Sequence, residues 1–268
     1  MTRTAIIIAG DRAYRRQDGW GAAFAAGLRR HGWTAVLSRH PAPADMLVLW
    51  GVRRQGAIAL QRRHGEVCIL ERGYVGDRFA WTSVSFGGGL NGRATFRGPL
   101  DDSSRWQTHF APLMRPWRRR DGYALIMGQV LTDMSLRGLK PLTMWNDAAR
   151  ALKAGGFDVR FRPHPLSNGA GLPGIGTLPA SLSLAEALAG AALVVTINSN
   201  AGVDAAVAGV PTVTLDGGAM AWPVAGHRPE TPPTPDRAAW ATALAWKQWR
   251  MEEIASGHAW ALVGGGTG

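Results

Sequence analysis

The sequence is short of cysteine, of acid and of unbroken apolar stretches, and each shortage removes a class of protein. Cysteine occurs once in 268 residues, so no internal disulfide framework can form. Cys68 stands inside the apolar run EVCIL and reads as a small buried hydrophobe rather than a nucleophile. No apolar run approaches the roughly 20 residues that a membrane-spanning helix needs. TRTAIIIAG, at the start, reads as a first β-strand and not as a signal peptide. No integral membrane segment is expected, and the expected location is the cytoplasm (the host cytoplasm if the chain is phage-encoded). There is no GxGxxG, so no dinucleotide cofactor is inferred. The second half has no DxD pair and no His/Cys cluster, so no metal is expected either. Aspartate and glutamate total 19 against 30 lysines and arginines, a net charge of +11. Such a surface attracts nucleic acid, an anionic membrane face or a nucleotide-linked substrate, although a composition biased to arginine gives the same count without a partner.

What is present is a globular composition, 46% hydrophobic with 35 glycines, and length enough for one large domain or two small ones. Apolar β-type runs alternate with helical patterns. Strands are expected at 4–9, 33–38, 46–50 and 66–70, with helices at 19–30 and 55–63. A second series begins at 123–127, followed by a helix at 141–153 with proline at its first position and Gly-Gly after it. Strands at 159–161, 192–197 and 211–215 complete it, with short helices at 183–188 and 201–208 between them. Alternation of this kind predicts parallel sheets with crossover helices, an α/β fold of two Rossmann-like lobes. The boundaries expected are an N-terminal lobe at 1–115, a second lobe at 116–235, and C-terminal helices at 236–268 packing back on the lobes. Those helices are expected at 236–251 and 252–260, with Lys247 and Arg250 exposed.

Polar residues directly after apolar strands are the candidate site, because ligands of open α/β sheets bind beyond the strand carboxyl ends. Asp11 follows the first strand and Glu71 the fourth. Gln129, Asp133 and Ser135 follow the strand at 123–127. Arg162-Pro163-His164-Pro165 follows the next; its prolines stiffen the chain around an imidazole that can donate to phosphate. Asn198-Ser199-Asn200 precedes a helix whose N-terminal N–H groups would favour an anion, or which the same residues simply cap. In the Gly-rich stretch at 83–93, expected as a loop that could fold over a substrate, Asn91 and Arg93 could orient a hydroxyl or phosphate. MRPWRRRDG is the densest basic run. Its Arg115, Trp117 and Arg118 either grip an acceptor's phosphate and stack on a base, or form a solvated linker with the tryptophan turned inward.

Taken together, LERGYVG with GGLNGRATF, then GQVLTDMSL, RPHP and VVTINSNAGVDAAVAGVPTVTLDGGAM give the chain a family likeness over most of residues 66–220. It resembles the capsule-polysaccharide glycosyltransferases that move Kdo from CMP-Kdo to a lipid-linked acceptor, and more remotely the bacterial sialyltransferases with an His-Pro donor motif. The resemblance implies a GT-B-like pair of lobes facing a central cleft. By the same resemblance, His164 and Pro165 belong to the nucleotide-phosphate site, Asn198, Ser199 and Asn200 complete it, and Gln129 and Asp133 lie near the nucleotide or sugar. Glu71 becomes the first candidate for general base and Asp11 the reserve. The implied co-substrate is a CMP-, UDP- or GDP-linked sugar, with no other cofactor. Two acceptors stay open. One is a capsule polysaccharide or glycolipid. The other, favoured by charge and the Arg/Trp run, is a 5-hydroxymethylpyrimidine in double-stranded DNA, which phage enzymes of the same two-lobed shape glycosylate. A non-catalytic nucleotide or nucleic-acid binding module with a degenerate transferase fold is the third reading.

Overall fold

The computed structural model describes residues 2–8, 19–118, 121–167, 171–179, 181–229 and 232–264. Along the chain run β1 (Thr4–Ile8), α1 (Trp20–Arg30), β2 (Thr34–Ser38), β3 (Met46–Trp50), α2 (Gln55–Gln61), β4 (Glu66–Arg72), β5 (Thr82–Phe86) and α3 (Ser104–His109). Then come β6 (Tyr123–Met127), α4 (Pro141–Ala154), β7 (Val159–Arg162), β8 (Gly176–Thr177), α5 (Leu184–Ala189), β9 (Ala191–Thr196), α6 (Ala201–Val207) and β10 (Thr212–Thr214). The chain closes with α7 (Ala238–Ala245), β11 (Gln248–Trp249), α8 (Met251–Ala255) and α9 (His258–Val263). Two compact units result: Met1–Thr108 with Ala241–Gly268, and His109–Trp240. Among the described residues no helix is long and apolar enough to cross a membrane.

The first unit is a six-stranded sheet in the order β11-β5-β4-β3-β1-β2. β1 to β4 are parallel, while β5 runs antiparallel to β4 and β11 antiparallel to β5. Trp20, Phe24 and Leu28 recur at helical spacing and are buried on the face that α1 turns to the core. Each such side chain contributes about 1.5–3 kcal/mol by leaving water. The same core takes in Trp246, Trp249, Ile254 and Val263, so the C-terminal segment is built into this unit.

Three expectations fail here. The stretch at 83–93 is not one loop: Thr82–Phe86 is a strand buried along its whole length, because TSVSF has a β-forming side chain at every second place. The helix expected at 236–251 stops at Ala245, and Gln248–Trp249 instead pairs with the edge of β5. Gln248 explains the break. Its buried amide oxygen accepts from the N–H groups of Tyr74 and Val75, at 2.6 and 3.1 Å, and its Nε2 donates to Val75 O at 3.0 Å. Those three bonds stitch the turn after β4 to Gln248, whose backbone is extended in its pairing with β5. Lys247, expected to be exposed, is half-buried with Nζ 4.9 Å from the centre of the Phe96 ring.

The second unit is a five-stranded sheet, β10-β9-β6-β7-β8, and every pairing in it is parallel. α4 covers one face through Trp145, Ala148, Ala149 and Leu152. Residues of α5 and α6 cover the other. α5 starts with a complete capping box: Glu186 N–H donates to Ser183 Oγ and Ser183 N–H to the Glu186 carboxylate. α6 ends at Val207, and just beyond it the φ of +75° at Gly209 and its closeness to Pro116 O leave no room for a side chain.

Candidate active site

In each unit the strand order reverses once, and that reversal marks where a ligand crevice opens. In the second unit β6 is followed by β7 and β8 on one side and by β9 and β10 on the other. The switch point therefore lies between β6 and β9. Gln129 leaves the end of β6 and Asn198 the end of β9, and they meet there. Gln129 Nε2 donates to Asn198 Oδ1 at 2.9 Å, and Asn198 N–H donates to Gln129 Oε1 at 3.1 Å. Asn198 Nδ2 also donates to Ser135 O at 2.8 Å and to Asp216 Oδ2 at 2.8 Å, while Ser135 Oγ donates to Asn198 Oδ1 at 3.0 Å. Gln129, Asn198 and Asp216 are all buried. A buried polar network with this many mutual bonds fixes its side chains in one arrangement.

Asp216 was missed as a site residue, yet it carried the signal that singled out Glu71. It is a carboxylate directly after an apolar strand, here followed by Gly-Gly. Gly218 N–H donates to its Oδ2 at 3.2 Å. Just beyond, Trp222 and His227 stack with ring centres 3.5 Å apart and planes 11° from parallel.

The other residues proposed for the donor divide. His164 follows β7 at the same edge of the sheet, with β6 between β7 and β9, hence on the order of 10 Å from Asn198 by strand spacing. Its Nδ1 accepts from Leu166 N–H at 3.1 Å, which puts the proton of the neutral ring on Nε2. Pro165 is exposed beside it. Arg162 Nη2 donates to Leu182 O at 3.1 Å, tying β7 to the approach to α5. Asp133 is exposed, and its carboxylate caps a single 3-10 turn by accepting from Ser135 N–H at 2.8 Å. The N-terminus of α6 is engaged within the chain, one of the two readings that its residues allow. Its first N–H groups are already satisfied: Ala201 to Ser199 Oγ, Gly202 to Ser199 O, and Val203 and Asp204 to Asn200 O. The loop caps itself, so what Ser199 retains for a ligand is its own O–H proton.

In the first unit the reversal lies between β1 and β3. Asp11, the reserve base, lies outside the described residues, as do Arg119 and Arg120. Glu71 is half-buried near the carboxyl end of β4, and Arg72 N–H lies 3.4 Å from its Oε2. The chain leaves the end of β3 through Gly51, with φ +64°, and a Cβ built there would stand 2.8 Å from Glu71 Oε1. A glycine at that turn thus leaves the space that the carboxylate fills.

Asn91 and Arg93 are elsewhere. Because β5 runs antiparallel, Phe86 pairs with Cys68, and the residues after it emerge at the opposite edge of the sheet from Glu71. There Arg62 donates through Nε and Nη2 to Gly87 O at 2.9 and 2.6 Å. Arg115, Trp117 and Arg118 are likewise away from the strand carboxyl ends of their unit. Their segment runs along the end of α6, with Arg115 N–H donating to Val207 O and Arg118 N–H to Gly209 O. The Trp117 indole donates to Pro235 O at 2.7 Å and lies 3.9 Å beneath the Arg237 guanidinium. Arg237 Nη2 in turn donates to Arg115 O at 2.6 Å. Trp117 is thus half-buried and held within its own unit. Burial pushes the Cys68 thiol well up from its ordinary pKa, consistent with a packed side chain and not a nucleophile. Among the described residues no group of three or more His, Cys, Asp or Glu is arranged to hold a metal ion.

No protein-family model and no curated protein matches the chain. Solved structures do. KpsC of Thermosulfurimonas dismutans, a beta Kdo 2,7 transferase, aligns over 96% of this chain and 98% of its own at 14% identity, with a TM-score of 0.56. A beta Kdo 2,4 transferase structure of KpsC from the same organism aligns over 89% of both chains at 15% identity, with a TM-score of 0.55. At such identities the likeness speaks for the fold: two Rossmann-like α/β lobes of the GT-B-like kind.

Proposed function

We propose that this protein is a glycosyltransferase that moves a sugar from a nucleotide-sugar donor to a hydroxyl of a glycan, of the capsule-polysaccharide or glycolipid class. The observation that carries the proposal is the Gln129–Asn198–Asp216 network at the switch point of an all-parallel sheet, within a GT-B-like fold. The glycan is chosen over DNA for two reasons. The two KpsC structures reported above are described as Kdo transferases. And Trp117, the base-stacking candidate, is engaged within its own unit.

In this reading the second unit binds the donor. His164, with its proton on Nε2, and the hydroxyl of Ser199 donate to phosphate oxygens. Gln129 and Asn198 hold the floor of the crevice rigid through their mutual bonds. Glu71 accepts the proton of the acceptor hydroxyl as its oxygen attacks the anomeric carbon. The bond from that carbon to the phosphate oxygen breaks, its electron pair leaves with the phosphate, and donors already in place stabilise the new charge. A positioned base of this kind is worth about 10²–10⁴-fold in rate.

The test is a screen of CMP-, UDP- and GDP-linked sugars, CMP-Kdo included, against glycan and glycolipid acceptors and hydroxymethylated DNA. Transfer to a glycan with release of the nucleotide is expected. Nucleotide binding without transfer or donor hydrolysis would return the protein to a binding module, and transfer to DNA alone would replace the acceptor.

A further inference from the structure

The first unit has a hollow of about 390 Å³ at the edge of its sheet opposite Glu71. Each parallel strand contributes the residue just before it: Arg3 before β1, Trp33 before β2, Asp45 before β3 and Gly65 before β4. Trp260 of α9 adds a second indole wall, edge-on to Trp33 with centres 5.4 Å apart and planes at 87°. Arg97 closes one side, 4.0 Å over the Phe86 ring and bound to Glu66. His64 stands exposed on the rim. The volume falls in the range of small-molecule sites, about 300–1,000 Å³.

The lining is chemically mixed in a particular way. Arg97 pairs with Glu66, and the Arg3 guanidinium lies 4.8 Å over the Trp33 ring at the rim; with Asp45 the lining holds two guanidinium groups and two carboxylates, so the hollow has little net charge to select a polyanion, although the whole chain is strongly basic. The carboxylates are held still by backbone: Asp45 Oδ2 accepts from Thr4 N–H at 2.6 Å, and Glu66 Oε1 from Val67 and Gly87 N–H at 3.2 and 3.3 Å. Each retains lone pairs beyond those contacts, and a guanidinium has more N–H groups than the one that Arg97 gives to Glu66. Fixed donors and acceptors therefore ring an indole-walled space. A ring with hydroxyls around its rim and C–H bonds on its faces satisfies both parts of that lining. We propose that the hollow binds a pyranose unit of a saccharide. The site is separate from the transfer reading, since it lies at the other sheet edge from Glu71 and contains none of the residues assigned to the reaction.

The full-length protein, labelled at the tryptophan indoles, is titrated by NMR with methyl β-glucopyranoside, methyl β-glucuronide and lactose. Saturable shifts of the Trp33 and Trp260 indole signals are expected, each signal being identified by a single Trp→Phe variant. In the Arg3→Ala/His64→Ala double variant, whose changes are at the exposed rim, affinity should fall at least about tenfold with the melting temperature unchanged. Binding of the uronide alone would show that the arginines select an acidic pyranose; binding of all three would show recognition through hydroxyls. Absence of these shifts with every saccharide, or shifts undiminished in the double variant, would overturn the site. A protein that transfers sugar yet shows no such shifts would lose this inference and keep the transferase reading.

Discussion

Replacing Glu71 by glutamine changes one atom and removes the proton acceptor. Transfer should fall about 10²–10⁴-fold while donor affinity holds, measured by initial rates beside nucleotide binding; undiminished turnover would dismiss Glu71 as the base. Gly51→Ala attacks the same carboxylate from outside. The new methyl group would stand 2.8 Å from Glu71 Oε1, at a φ of +64° that side chains avoid. The expected outcome is lost activity with a folded protein by circular dichroism, because the nearest atom is the end of a side chain that can swing away. In the other unit, Asn198→Asp sets a second carboxylate against Asp216, across a gap that a 2.8 Å hydrogen bond now spans. Two such groups cannot both ionise, so one pKa rises in the fold. A raised folded pKa destabilises once pH exceeds the unfolded value, about 3.9 for Asp. The variant should melt close to the parent near that pH and progressively below it towards pH 8. An Asn198 whose network is incidental would give parallel melting curves. How well these residues read from sequence depended on what held them. A polar side chain after an apolar strand picks out Glu71, Gln129 and Asn198, which lie beyond strand carboxyl ends in the fold, and it picks out Asp216 equally. It could not tell that the Ser199 hydroxyl would accept from the first N–H of the following helix, since capping and anion binding call for the same residue types.

Elements that depend on local pattern were legible, and those made by distant partners were not. α4 lies where its proline and its Gly-Gly stop place it, and α5 carries the capping box its Ser and Glu spell out. β11, by contrast, is two residues long and exists because β5 offers an edge and Gln248 meets the turn after β4. No periodicity encodes that. Its mooring is Arg105, buried beside Trp246 and Trp249, which donates to Ala245 O and Gln248 O and makes a two-pronged pair with Glu253. Burial pulls the Glu253 carboxyl up, but the bonds from Arg105 and from Arg250 N–H outweigh it, and its pKa ends below the ordinary value. A depressed pKa stabilises above the unfolded value, about 4.3 for Glu, and the gain is lost as pH falls through the folded one. Glu253→Gln should therefore cost about 3–5 kcal/mol near pH 7, by stranding a buried guanidinium. The gap to the parent should narrow in acid. Urea melts at pH 7 and pH 4 check both points, and a gap independent of pH would refute the assignment.

For the whole molecule, charge was the most visible property and the least informative about partners. A formal charge of +11 attracts any polyanion, and such attraction is screened by salt. Duplex DNA should bind at 50 mM salt and lose most of that affinity by about 200 mM, read by fluorescence anisotropy. Hydroxymethylated duplex should accept no sugar at either concentration; labelled DNA product would reverse the choice of acceptor. The paired α/β architecture was legible, because alternating strands and helices leave few alternatives, and the C-terminal segment was expected to pack back on the lobes, but that it would close the edge of the first sheet as a strand was not. That closure has a consequence for biogenesis. A ribosome finishes all of His109–Trp240 before it makes Trp246, Gln248 and Trp249, which complete the core and outer edge of the first sheet. The middle of the polypeptide can thus mature during translation, while the part translated first must wait, incompletely packed, for the part translated last. Chaperone demand should fall on that waiting interval.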